Sequence, residues 1–321
     1  MENLRAGEGI NGFPNWSERV IHQWMNRARV DPQYEMSRCP SGFCGEGRCY
    51  TAKPPLAWSE ALNRAARFHS DEMLHQGYFA HDSKCVINPA IDSLYPAGCN
   101  GAASCACVGG TIGCNGGQCT SWDQRVAMFG ARPTGEIVAG GFDPNVSFYA
   151  WLFEPAPNPA CGFNAQNGHR YLILESLGSV GVGVSGGPAV GDFSTGVAPG
   201  RIPSGSHYPK QAGSVEVWAN WFDGSAPRSA SVVVDGGCVP MKLARGSGQN
   251  GAWTANVSGA GSGCHRYYFS FIDSTGAEVT YPATGSLGIG GASCADWDPS
   301  RMASKCATTA AVPAKRRAAR R

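Results

Sequence analysis

The sequence predicts an α+β protein in which a mixed first part is followed by an all-β second part. Three observations carry that prediction. Before residue 160, apolar residues recur at helical spacing between capping and stop signals. After a Gly, Pro and Ser-rich stretch at 186–213, about seven short β-branched and aromatic runs alternate with turn residues, as in an antiparallel, immunoglobulin-like sandwich. Fourteen cysteines and 44 glycines in 321 residues point to disulfides formed in an oxidising compartment.

Asn15-Trp16-Ser17-Glu18 reads as a helix start, with Ser17 as N-cap, Glu18 in the first turn and Trp16 stapled onto Ile21. Val20, Ile21, Trp24 and Ala28 make its apolar stripe, and Pro32 ends it. Cys39, Cys44 and Cys49 follow in a Gly-rich loop. With no CxxC pair, they read as short disulfide staples and not as a zinc knuckle. A second helix runs from its cap at Ser59 to Gly77, with Leu62, Ala65, Ala66, His69 and Met73 on one face. His69 is therefore expected in the core with one hydrogen bond, whereas His81, four residues past Gly77, can turn into a cleft.

The stretch 82–119 holds Cys85, Cys99, Cys105, Cys107, Cys114 and Cys119 with little periodicity, and reads as a cross-linked insertion. A short helix with Trp122, Val126 and Phe129 leads to Gly135-Glu136-Ile137-Val138-Ala139-Gly140. There a carboxylate among apolar neighbours costs several kcal/mol unless it is paired. Asp143-Pro144 starts another helix and Pro155 stops it. Val146, Tyr149, Ala150 and Phe153 are its expected inner face, with Glu154 at the edge.

After a loop at 155–167 carrying Cys161, Gly168-His169-Arg170 opens a buried-strand pattern, Tyr171-Leu172-Ile173-Leu174. A further strand is expected at 180–184. Its extension, Gly181-Val182-Gly183-Val184-Ser185-Gly186, matches GxGxxG, but Gly187-Pro188 follows where a dinucleotide site needs a helix. No HExxH and no GxSxG is present. In the second part, strands are expected at 215–221, 230–234, 241–244, 253–257, 267–272 and 279–281. Cys238 could pair with Cys264, and Cys294 with Cys306. The division is then 1–200 with its insert, a linker at 201–213, the sandwich at 214–290, and a disulfide-tethered basic tail at 291–321.

No apolar run approaches the ~18 residues of a membrane span, so no such span is expected. Met1-Glu2-Asn3-Leu4-Arg5 lacks the apolar region of a signal peptide, so for an exported chain either the signal has been removed or this start lies downstream of it. The net charge is +2. Five basic residues (Lys315, Arg316, Arg317, Arg320 and Arg321) lie in the last seven, and subtracting them leaves −3. The tail reads as a solvated end, and no basic stripe elsewhere suggests nucleic acid.

Four residues stand in settings of their own: His81 after Tyr78-Phe79-Ala80, Glu136 after Gly135, Glu154 after Trp151-Leu152-Phe153, and His169 between Gly168 and Arg170. Two imidazoles and two carboxylates suit divalent-metal or proton chemistry. These motifs, with 62–81 before them and Val180-Gly181-Val182-Gly183 after, resemble in order the signatures of the CAP superfamily, or SCP domains. That group includes cysteine-rich secretory proteins, antigen 5 and plant pathogenesis-related class-one proteins, and its bacterial extracellular branch is most similar. The resemblance covers about 14–200. It implies an α-β-α sandwich whose cleft gathers His81, Glu136, Glu154 and His169, with zinc or another divalent ion on the two histidines. It also implies a sterol, fatty acid or protein as ligand. The reading is of a secreted binding protein, with no catalytic residue assigned. The alternatives are a zinc-dependent hydrolase using a metal-bound water and a glutamate base, and a structural or adhesive surface protein.

Overall fold

The computed structural model describes residues 14–114, 116–141, 143–156, 160–176, 178–304 and 306. The N-terminal pentapeptide and the basic residues at 315–321 lie outside them. In chain order come α1 (Trp16–Val30), α2 (Pro32–Met36), β1 (Ala57–Trp58), α3 (Glu60–Gln76), the short α4 (Ile91–Leu94) and α5 (Ala103–Ala106), α6 (Trp122–Met128) and β2 (Gly135–Ala139). They are followed by α7 (Pro144–Leu152), α8 (Gly168–Glu175), β3 (Ser179–Gly183) and β4 (Ala189–Ser194). The chain is α+β, as the sequence predicts.

α1 is capped by Asn15 and not by Ser17. The Asn15 side chain accepts the Glu18 amide at 3.1 Å, and Glu18 accepts the Asn15 N–H at 2.8 Å. A capping box needs its acid three residues after the cap, a spacing that holds from Asn15 and fails from Ser17. Trp16 thus becomes the first helical residue, stacks on Tyr208 and donates its indole N–H to the His207 carbonyl at 2.9 Å. α1 is buried nearly all round, not along one stripe, because it lies between the first sheet and the second part of the chain. Its polar side chains are met on both sides. Arg29 donates to the carbonyls of Pro54, Ile173 and Ser176, while Gln23 donates to Asn220 at 2.6 Å.

The first sheet has the order β1-β3-β4-β2, with β1 and β3 parallel and the other neighbours antiparallel. Alternation sorts its faces. Ile137, Ala139, Val182 and Phe193 pack with α1, α7 and α8, whereas Val138 and Val190 pack with Ala66 and Met73 of α3. α3 is capped by Ser59 and closed by Gly77 at φ 69°, as expected. It lies so close to β3 that a Cβ at Gly181 would fall 2.0 Å from the Asn63 nitrogen, and one at Gly183 2.1 Å from the Ala66 carbonyl carbon. The GxGxxG run is thus a helix–sheet seam.

The outer face of α3 is covered by the cysteine-rich insertion, whose Ile87, Ile91 and Tyr95 pack on Leu62, Ala65 and Phe68. All six of its cysteines pair internally, as Cys85–Cys107, Cys99–Cys105 and Cys114–Cys119. Cys39–Cys44 is a short staple, but Cys49 reaches Cys161, 112 positions away.

Two further sequence expectations in this part are corrected. Residues 171–174 form helix α8 and not a strand, for Arg170, Ile173 and Leu174 alone are buried, which is helical periodicity. The buried face of α7 is Ser147, Phe148, Trp151 and Leu152, while Val146 and Ala150 are exposed. The stripe begins one residue later than expected because Phe148 and Trp151, three apart, anchor it in the core.

The second part comprises β5 (Gly205–Tyr208), β6 (Ser214–Phe222), β7 (Ser229–Val234), β8 (Gly237–Pro240), β9 (Lys242–Gly246), β10 (Asn250–Ser258), β11 (Cys264–Ile272), β12 (Glu278–Tyr281), β13 (Ser286–Gly290) and β14 (Trp297–Asp298). They form two antiparallel sheets, β5-β6-β10-β9 and β14-β13-β11-β7-β8, with β12 on β11. Val217, Trp221, Val232, Phe269, Phe271 and Leu287 fill the core between them. The stretch read as a linker at 201–213 contains β5, whose Ser206 and His207 are fully buried against α1. Burial drives the His207 imidazole pKa down to about 3. The disulfides here are Cys264–Cys294 and Cys238–Cys306, correcting both expected pairs. Cys264 faces Gly290 across β11 and β13, so the near cysteine is Cys294. The chain then returns beside Gly236, bringing Cys306 to Cys238.

Candidate functional site

Gly77 ends α3 in the left-handed conformation and turns the chain back along the sheet, so that His81 arrives beside the start of β2. Two groups hold its backbone. The buried His69 ring bonds the Ala80 carbonyl at 2.8 Å, and Arg125 donates to the His81 carbonyl at 2.9 Å. The expected single hydrogen bond of His69 is in fact two, since its other nitrogen meets Glu72 at 3.1 Å. Burial, reinforced by the Arg125 charge, lowers its pKa.

Glu136 points to the α3 side of β2. One carboxylate oxygen accepts from His81 Nδ1 at 2.9 Å, and the other accepts from Arg125, which is fully buried on α6. Burial works against ionising Glu136. The Arg125 charge and then the His81 hydrogen bond oppose it, and together hold the carboxyl below its ordinary range. The pairing that the sequence demanded of a carboxylate in an apolar run is therefore supplied by Arg125.

The other acid is held differently. Glu154 stands two residues beyond α7, and its carboxylate accepts the Arg170 amide in the first turn of α8 at 2.9 Å. α8 has no capping side chain at Asn167, so Glu154 takes that place from another segment. Its second oxygen lies 2.8 Å from His169 Nδ1. The Arg170 guanidinium, buried against Glu46 at 2.8 Å, also donates to the Glu154 carbonyl.

All four sequence-singled residues are thus brought to one place. The imidazoles of His81 and His169 lie 6.5 Å apart between centroids, tilted 37°. Their side chains are 49% and 31% exposed, whereas Glu136 is buried behind them. Each ring gives Nδ1 to a carboxylate, which leaves each Nε2 without a partner among the described residues. Among those residues no group of three or more His, Cys, Asp or Glu side chains is arranged to hold a metal ion. Sequence reasoning did not single out Arg125, Arg170 or Asp192. The one signal for Asp192 is a charge inside an apolar strand run, Val190-Gly191-Asp192-Phe193.

No protein-family model matches the chain, and no curated protein matches it. Among solved structures it is similar to an extracellular protein containing an SCP domain from Bacillus anthracis strain Ames, at 16% identity and a TM-score of 0.31. That likeness covers 56% of this chain and 41% of the other, so this chain spans about two fifths of that protein's length. A superposition of that quality carries no information about the site's chemistry.

Proposed function

We propose that this is an extracellular binding protein of CAP type, in which His81 and His169 hold one divalent ion, zinc being the best match to imidazole donors. The observation that supports it is the repeated carboxylate–imidazole pair. Glu136 and Glu154 each engage Nδ1, orient the ring and fix its tautomer, which leaves the opposite nitrogen as the donor. Two protein donors leave coordination positions for a ligand atom, and a bound ion would act there as a Lewis acid. Exposed Phe79, two residues before His81, and exposed Phe163, against Gly168, would give such a ligand apolar contacts. A lipid or an apolar protein segment suits that surface.

Binding is favoured over hydrolysis because both acids are already engaged by the rings and neither is free to serve as a base. Helices on both faces of a mixed sheet, followed by two packed antiparallel sheets, agree with a CAP domain and an immunoglobulin-like sandwich, and the seven disulfides agree with export. The test is calorimetric titration with zinc of the chain and of the His81→Ala/His169→Ala double variant. One ion per chain, lost in the variant, is expected. Equal uptake by both proteins overturns the reading, and loss of zinc with partner binding intact favours the structural role.

A further inference from the structure

We propose that Asp192 is a neutral carboxylic acid that donates its proton in a hydrogen bond to Glu136 and so positions Glu136 for His81.

The argument begins with register. Glu136 on β2 lies directly opposite Asp192 on β4, and both point to the α3 face with Val138 and Val190. Side chains so opposed start about 5 Å apart at Cβ. Asp192 is fully buried, and neither of its oxygens meets a donor among the described residues. A buried carboxylate with no donor is among the costliest groups a fold can hold. The group it faces is another carboxyl, and two oxygens of that kind make a hydrogen bond only when one bears a proton.

The charges around the pair decide which one does. Arg125 on α6 is the cation there, and its terminal nitrogens go to Glu136, the His81 carbonyl and Ser83. From α3 come Glu72, which Ser83 and His69 engage, and His69 itself, while Tyr78 follows that helix. Glu136 has two donors and is held as the anion, so the proton falls to Asp192. Burial first, and then the Glu136 charge, push the Asp192 carboxyl well above its ordinary range against the pull of Arg125, in agreement with the geometry. With that proton, Asp192 gives Glu136 a third hydrogen bond. The anion is then fixed as acceptor for His81 Nδ1–H, with Nε2 turned to the cleft. The Asp192 proton follows from its burial and from the carboxyl opposite it, and only the last step rests on the proposed function.

The experiment is infrared spectroscopy of the full chain at pH 7, with urea unfolding from pH 5 to 8. A neutral-acid carbonyl band is expected that shifts on aspartate-specific carbon-13 labelling and vanishes in Asp192→Asn. The native state keeps a proton that the unfolded chain releases above about pH 4. Relative to Asp192→Asn, the wild-type unfolding constant should therefore rise about tenfold per pH unit until the native group ionises. Asp192→Asn, which retains a donor, should be more stable than Asp192→Ala. Absence of a neutral aspartic acid band in the wild type overturns the proposal even if the variants do not fold. So does a band that persists in Asp192→Asn, or a stability difference that is flat with pH.

Discussion

The two imidazole–carboxylate pairs make the same bond in different surroundings. Glu136 sits on a sheet strand, beside a fully buried guanidinium and opposite a second carboxyl. Glu154 sits on a connection and is held by the first turn of a helix. The first pair is wired into the core, so its acid is ionised against burial by an opposite charge. The second is an interhelical cap, whose acid needs only the amide and ring it touches. Equivalent substitutions in the two pairs should therefore differ in stability while resembling each other in ligand binding.

The largest effect should come from Arg125→Met, which strands the Glu136 carboxylate in the interior and should cost about 3–5 kcal/mol in urea unfolding. A loss below about 1 kcal/mol would erase the distinction between the pairs. Glu136→Gln should follow at about 1.5–3 kcal/mol, the range for hydrogen bonds to charged groups. It should also flatten the acid limb. Because the native Glu136 pKa is lowered, its stabilisation is present above the unfolded value near 4.3 and is lost as pH falls through the native one. Glu154→Gln should cost the least, about 0.5–2 kcal/mol as for a lost cap, read from the same unfolding curves. For zinc the pairs should converge, either glutamine variant weakening binding by about 10–100-fold in calorimetry.

How much of this was legible depended on whether a feature is local. Ser59 and Gly77, or Asp143 with Pro144, announce their helices within a few residues, and the structure keeps them. α8 is not legible as a helix because its cap, Glu154, lies sixteen positions before the amide it accepts, and because Tyr171-Leu172-Ile173-Leu174 suits a strand equally well. His81, Glu136, Glu154 and His169 are legible through their motifs, each carried by a few adjacent positions. Arg125 and Asp192 are not, since their roles arise from a cross-strand register and a helix docking that no short window contains. The same limit explains the disulfides. Short staples suit Cys39–Cys44, five positions apart, but proximity in sequence cannot reach Cys49–Cys161, 112 positions apart.

The central claim, that the paired rings form one divalent-ion site, is tested most directly by zinc-edge anomalous diffraction from zinc-soaked crystals. The account predicts one peak about 2.0–2.1 Å from the Nε2 atoms of both His81 and His169. A peak at any other group, or none between the two rings, would contradict it.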